Sequence, residues 1–318
     1  MRKAFTFLCA VLLMWTFARA SGANMFLSIA TGGEAGVYHP LGNGLAKLLT
    51  AHLSDVEVTA RTSNASAANI GLIAGREVEL ALVQNDVAFR AARGEKPFKE
   101  PVKNLTMIAS LYPEQVQCFT VRGNGVKTLS DLRGKHVSVG TTDSGTIDSV
   151  NAILSLAGIK YADINADFLD FANTALRIQS EQLDAGFVVA GYPTAAVTAL
   201  AAKKELDLVA FEDDLLDKLS AAYPFFTRDV IPAGTYDGID HDTPTIAVMA
   251  VLVCDSDMSD NLVYDIAKAI FENLAELAPA HPKAEMIALD KALYAAVIKV
   301  HPGAAKYYAE KGVKDPAP

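Results

Sequence analysis

The sequence predicts an α/β protein folded as two lobes around a cleft. Strand-like and helix-like segments alternate along nearly the whole chain. A bend-forming stretch, Arg122-Gly123-Asn124-Gly125, interrupts the alternation, which then restarts. A late apolar run, Thr245 to Val253, is long enough to lead back into the first unit. Length points the same way, since 318 residues divided by about 150 suggests two domains.

Taken in order, Met25 to Ala30 is a short apolar strand that breaks at Thr31-Gly32-Gly33. Pro40 opens a helix to about Leu49, since proline suits a first turn. Val56 to Arg61 reads as a strand, Ser66 to Ala74 as a helix closed by Gly75, and Leu80 to Val83 as a buried strand. Asp86 to Arg93 is a helix ended by Gly94, and Leu105 to Leu111 and Val116 to Val121 are two more strands. Beyond the bend come a strand at Lys135 to Gly140, a helix at Thr146 to Leu156, a strand at Phe187 to Val189 and a helix at Thr194 to Ala202. Ile231 to Tyr236 is rich in turn residues. Two helices follow the long strand, Asp260 to Leu277 and Ala284 to Val300, before a tail at His301. Buried strands alternating with helices imply parallel sheets.

Composition removes several function classes. A chain 51% hydrophobic can fill two cores and is not generally disordered. A net charge of −9 argues against a nucleic-acid binder, which would present a basic face. Three cysteines are too few for a disulfide scaffold. The first twenty residues read as a cleavable signal peptide: Arg2 and Lys3, an apolar run from Ala4 to Phe17, then Ala18-Arg19-Ala20. That run is short for a membrane anchor. Its removal leaves 25 basic against 37 acidic residues, a net charge of −12, and two cysteines, Cys118 and Cys254, that could pair or stand apart as core thiols. The expected location is the periplasm.

Enzyme signatures are missing. Thr31 to Gly36 sits where a dinucleotide loop would, yet it lacks the G-x-G-x-x-G spacing and no P-loop lysine follows. No H-E-x-x-H, paired C-x-x-C or G-x-S-x-G occurs. The expectation is a protein that is not an enzyme and carries no cofactor and no metal. Polar loops, in contrast, recur at strand ends: Gly32 to Tyr38, Ser63 to Asn69, Gln84-Asn85-Asp86, Ser144 to Thr146, and Gly191-Tyr192-Pro193. Each alone reads as a helix cap or turn. Together they mark the sheet edge where α/β proteins bind ligands, and uncharged polar groups from two lobes suit a small-molecule clamp.

These stretches resemble the TAXI family of periplasmic receptors, the solute-binding subunits of one class of TRAP transporter. The matches include Ala30-Thr31-Gly32-Gly33 with Gly36-Val37-Tyr38, Ser66-Ala67-Ala68-Asn69, Gln84 with Asp86, Leu111-Tyr112-Pro113-Glu114, Ser144-Gly145-Thr146, Gly191-Tyr192-Pro193, Ile231-Pro232-Ala233-Gly234-Thr235-Tyr236 and His301-Pro302-Gly303-Ala304. The resemblance implies a type II periplasmic-binding-protein fold, closing on a ligand and handing it to TRAP-type permease subunits. It implies ligand-binding roles for Gly33, Gly36, Tyr38, Ser66, Asn69 and Gln84 in the first lobe, and for Ser144, Gly145, Thr146 and Gly191 in the second. Glu34-Ala35 and His39 depart from the family's pattern.

The expected organisation is a signal peptide at 1–20, a first lobe from 21–122 and 243–318, and a second from 123–242, hinged near Arg122 to Gly125 and Thr235 to Asp242. The expected ligand is a small organic anion, an acidic amino acid or dicarboxylate such as glutamate or 2-oxoglutarate, which the resemblance also favours. Backbone amides at the Ser144 to Thr146 helix start would hold it at contact distance, where the −12 charge is screened. A receptor for an ATP-driven importer and a periplasmic enzyme on the same fold are the alternatives.

Overall fold

A computed structural model of the chain describes residues 25–314. The expected signal peptide lies outside the described residues. β1 (Met25–Ala30), α1 (Tyr38–His52), β2 (Val56–Arg61), α2 (Ser66–Ala74), β3 (Leu80–Gln84) and α3 (Asn85–Arg93) follow the expected alternation. β1 pairs in parallel with β2 and with β3. β3 is buried along its whole length, so its sequence is continuously apolar up to Gln84, whereas β2 at the sheet edge alternates. Gly94 ends α3 at a φ of +68°, a conformation glycine adopts at no steric cost, and its N–H closes on the Arg90 and Ala91 carbonyls.

β4 (Leu105–Val121) is a single strand of 17 residues where two were expected. Over Leu105–Gln115 it pairs antiparallel with β10 (Thr243–Asp255). Its far end pairs antiparallel with β7 (Ala185–Ala190) and β8 (Leu206–Leu208). The second lobe adds β5 (His136–Ser138), α4 (Gly145–Leu156), β6 (Asn165–Asp167), α5 (Phe171–Gln179), α6 (Ala195–Ala201), α7 (Asp213–Ala222) and β9 (Thr227–Ile231). β5 pairs in parallel with β6 and β7, and β9 pairs antiparallel with the start of β10. The late strand does lead back: β10 lies between β3 and β4, and one curled sheet, ordered β2-β1-β3-β10-β4-β7-β5-β6, runs through both lobes.

The boundary between cores differs from the expected one. The first-lobe core extends along β4 as far as Tyr112 and takes up β10 from Met249, while the second-lobe core starts at Val116 and includes Ile246 and Val248. The changeover therefore lies near Pro113–Gln115 and Val248, inside two hydrogen-bonded strands. Arg122 to Gly125 is a turn beyond the end of β4, and 235–242 connects β9 to β10. Glycine and asparagine mark a change of direction there, but one within the second lobe. That lobe buries both faces of its sheet: Ala185, Phe187 and Val189 of β7 face one cluster and Val188 the other, as the two-residue strand period requires.

The C-terminal quarter departs most. α8 (Asp260–Glu272) is as expected, but Ala284 to Val300 is not one helix. Short 3-10 turns at Pro282–Met286 and Leu289–Lys291 form a strap whose Ala284, Ile287, Ala292 and Leu293 are buried in the first-lobe core. The expected tail is α9 (Pro302–Lys311), packed on α8, with the His301 ring accepting the Gly303 N–H and proline in the first turn. Cys118 and Cys254 are free thiols buried in different cores, and burial raises both pKa values. No helix among the described residues is long and apolar enough to cross a membrane.

Candidate functional site

The two lobes face each other across a cleft of about 480 Å³. They are in contact around it. Ala68 N–H on α2 donates to Asp143 O at 3.0 Å, and Ala196 N–H on α6 donates to Ala35 O at 3.2 Å. Gly36 leaves room for the Phe171 ring, which would stand 3.4 Å from a Cβ there. Beneath these contacts the Gln84 amide, oriented so that its nitrogen donates, reaches Gly145 O at 3.1 Å and Asp86 Oδ1 at 3.2 Å. Ser149 of α4 donates to Asp86 Oδ2 at 3.5 Å.

Of the residues expected to bind ligand, Gly33, Gly36, Tyr38, Gln84, Ser144, Gly145 and Thr146 line the cleft. Ser66, Asn69 and Gly191 do not line it, and each has a structural occupation. The Ser66 hydroxyl accepts the Gln84 N–H at 3.0 Å, which ties α2 to the end of β3. Asn69 is fully buried; its Nδ2 donates to the carbonyls of Thr31 at 2.6 Å and Leu82 at 2.7 Å, and its Oδ1 accepts from Ser63. Gly191 lies against the Lys283 stem, where a Cβ would stand 2.5 Å from Cγ. His39 bonds Asn43 within α1 and is absent from the cleft wall.

The cleft is a donor surface. The backbone N–H groups of Gly32, Gly33, Glu34 and Ala35 make no hydrogen bond among the described residues. Across from them, Gly145 and Thr146 open α4, whose first-turn N–H groups have no partner within the helix. Ser144 caps that helix by accepting from Ile147 N–H at 3.3 Å, while its own hydroxyl donates to Thr141 O at 2.7 Å. The Ser144 side chain is therefore committed, and free donation on this side comes from the backbone and from Thr146. Ala65, also in the wall, holds a φ of +70°, a left-handed conformation unusual for alanine.

Sequence reasoning missed the floor. Glu114 sits in the middle of β4, is 1% exposed and lines the cleft. Tyr38 donates to its Oε2 at 2.6 Å. Burial pushes the Glu114 carboxyl up to about 8, against the Tyr38 hydrogen bond, which favours the charged form. Leu169, Asp170 and Phe171 from the start of α5 complete the second-lobe wall. Both Asp170 oxygens are occupied by Asn173, at 2.7 Å each. Among the described residues, no lysine or arginine belongs to the wall. No cluster of metal-ligating residues is present among the described residues.

A protein from Listeria monocytogenes described as an L-cystine ABC transporter aligns over 84% of this chain and 98% of its own, at 12% identity and a TM-score of 0.52. The ligand-binding component of an ABC-type import system from Staphylococcus aureus, solved with zinc bound, covers 92% and 94% at 11% identity and a TM-score of 0.50. A looser match is the periplasmic aliphatic sulphonate binding protein of Escherichia coli, which covers 90% and 83% at 15% identity and a TM-score of 0.47. The fold is that of the periplasmic binding proteins, as the sequence led one to expect. The NMT1-like family model matches residues 29–312, so the chain belongs to the NMT1-like family.

Proposed function

We propose that this protein is an exported, non-catalytic solute receptor that captures a small organic anion and delivers it to TRAP-type permease subunits, as the TAXI resemblance implies. The observation that carries this reading is the convergence of unbonded backbone donors from both lobes on one cleft: Gly32 to Ala35 on one side, Gly145 and Thr146 on the other. Such donors bind carboxylates through charge-assisted hydrogen bonds of roughly 1.5–3 kcal/mol each, without a cationic side chain. The volume of about 480 Å³ suits a small molecule. The expected signal peptide supports a periplasmic location.

The likeness to the Listeria protein favours a second reading, a receptor for an ATP-driven importer. The first test is calorimetric titration of residues 21–318 with glutamate, 2-oxoglutarate, succinate, a neutral amino acid and a sugar. Binding of an acid that is recovered unchanged supports the receptor. Binding of only neutral compounds overturns the anion, and conversion of the ligand overturns the receptor. Reconstituted uptake with the cognate permease then separates the two transport classes, because one is driven by an ion gradient and the other by ATP.

A further inference from the structure

We infer that Glu114 meets the ligand as a neutral carboxylic acid, donating from Oε1 to a ligand carboxylate while Tyr38 holds Oε2. The inference rests on the organic-anion reading above and names how that anion is recognised.

The geometry leaves little else for this carboxyl to do. Glu114 is almost wholly buried, yet no lysine, arginine or histidine makes an ion pair with it among the described residues. Tyr38 is its one hydrogen-bond partner, so Oε1 carries no bond among the described residues. The residue belongs to the same cleft wall as the backbone donors that would grip an anion. An ionised Glu114 would repel a ligand carboxylate in this desolvated floor; a protonated one adds a donor.

Its surroundings favour the proton. Tyr38 from α1 and Tyr112 from its own strand are both buried, with hydroxyl pKa values raised by burial, so both stay neutral and neither offsets a charge on Glu114. Asp86 from α3 disfavours a second negative charge nearby. Lys283 from the 282–286 turn acts the other way, but its ammonium lies over the Tyr192 ring at 3.4 Å and burial lowers it to about 8. Glu34 belongs to the same wall from its exposed position. When the pH exceeds the value at which Glu114 ionises, each ligand carboxylate can bind only with uptake of one proton from solvent onto Glu114 Oε1.

The experiment is calorimetric titration of residues 21–318 with glutamate, 2-oxoglutarate and succinate from pH 6.5 to 9.5, in buffers of different ionisation heat. Wild type should bind its acid with nearly constant affinity at the acid end, then lose close to tenfold per pH unit above the break, with one proton taken up. Glu114→Gln should lose that slope, its affinities at pH 7 and 9.5 agreeing within twofold. Tyr38→Phe removes a bond that favours the carboxylate, so its break should move to higher pH, a shift that packing alone would not produce. A slope that survives in Glu114→Gln assigns the proton elsewhere, with Lys283 first, and overturns the inference alone. Proton release on binding means an ionised Glu114 reading a ligand ammonium, and also overturns it. If wild type binds none of the acids at any pH, the organic-anion reading fails and this inference fails with it.

Discussion

Replacing Asn69 by alanine should weaken the fold while leaving ligand chemistry intact. The side chain holds three segments together: the Thr31 carbonyl at the end of β1, the Leu82 carbonyl in β3, and the Ser63 hydroxyl before α2. Two backbone hydrogen bonds are lost, each worth about 1 kcal/mol net, and more where the remaining carbonyl stays buried. With Asn69 gone, the Ser63 hydroxyl, 3.0 Å from the Thr31 carbonyl, is free to donate to it, which softens one of the two losses. With a small cavity added, the cost is about 2–4 kcal/mol. For a chain of this size that corresponds to a melting temperature lower by roughly 5–12 °C. Differential scanning fluorimetry measures the loss, and calorimetry with a saturable ligand measures affinity on the same sample. A variant that melts like wild type but binds more than tenfold more weakly would refute the reasoning and return Asn69 to the ligand.

Three further outcomes follow from the same geometry. Asp86 is fully buried and burial raises its carboxyl to about 7, so the folded state holds this proton more tightly than the unfolded chain. Stability from this group is therefore complete below about pH 4 and is lost as pH rises through about 7, and Asp86→Asn should flatten melting temperature between pH 5 and 8. Gly303→Ala should destabilise by about 1–3 kcal/mol in urea denaturation, because a Cβ there would collide with the Asp260 carbonyl where α9 crosses α8. Ala65→Gly should raise the melting temperature by roughly 2–4 °C, since about 1 kcal/mol of left-handed strain is relieved at φ +70°.

Local signals carried the first lobe. α2 ends at Ala74, as Gly75 suggests, and β1 and β2 span the apolar run and the alternating segment that mark them in the sequence. Where tertiary packing overrode local pattern, reading failed. Pro113, Glu114 and Gln115 break the apolar run of β4 and look like a gap between strands, but the strand runs through them: Glu114 lines the cleft, and Gln115 donates to Asp229 of β9 at 2.6 Å. The same misreading hid Glu114, which becomes a cleft residue only when β4 crosses from one lobe to the other. Residues 284–300 have enough apolar positions for a helix, yet they are spent on a strap against the first-lobe core. The start of α9 is a local signal too, since His301 caps the helix and Pro302 opens its first turn. Ser66, Asn69 and Gly191 are polar or small for reasons of internal bonding and close approach, and sequence type alone does not separate those roles from ligand contact.

The position of β10 sets the order in which the molecule can be completed. During synthesis, residues 25–121 emerge with β3 and β4 made but with the slot between them empty, and it is filled only by residues 243–255. More than a third of the chain, including β5 to β9, appears in between. A nascent or truncated chain ending before residue 243 thus presents two apolar strand edges with unsatisfied backbone groups. Such chains should be late to acquire protease resistance and prone to associate, whereas the last strand closes both lobes in one event.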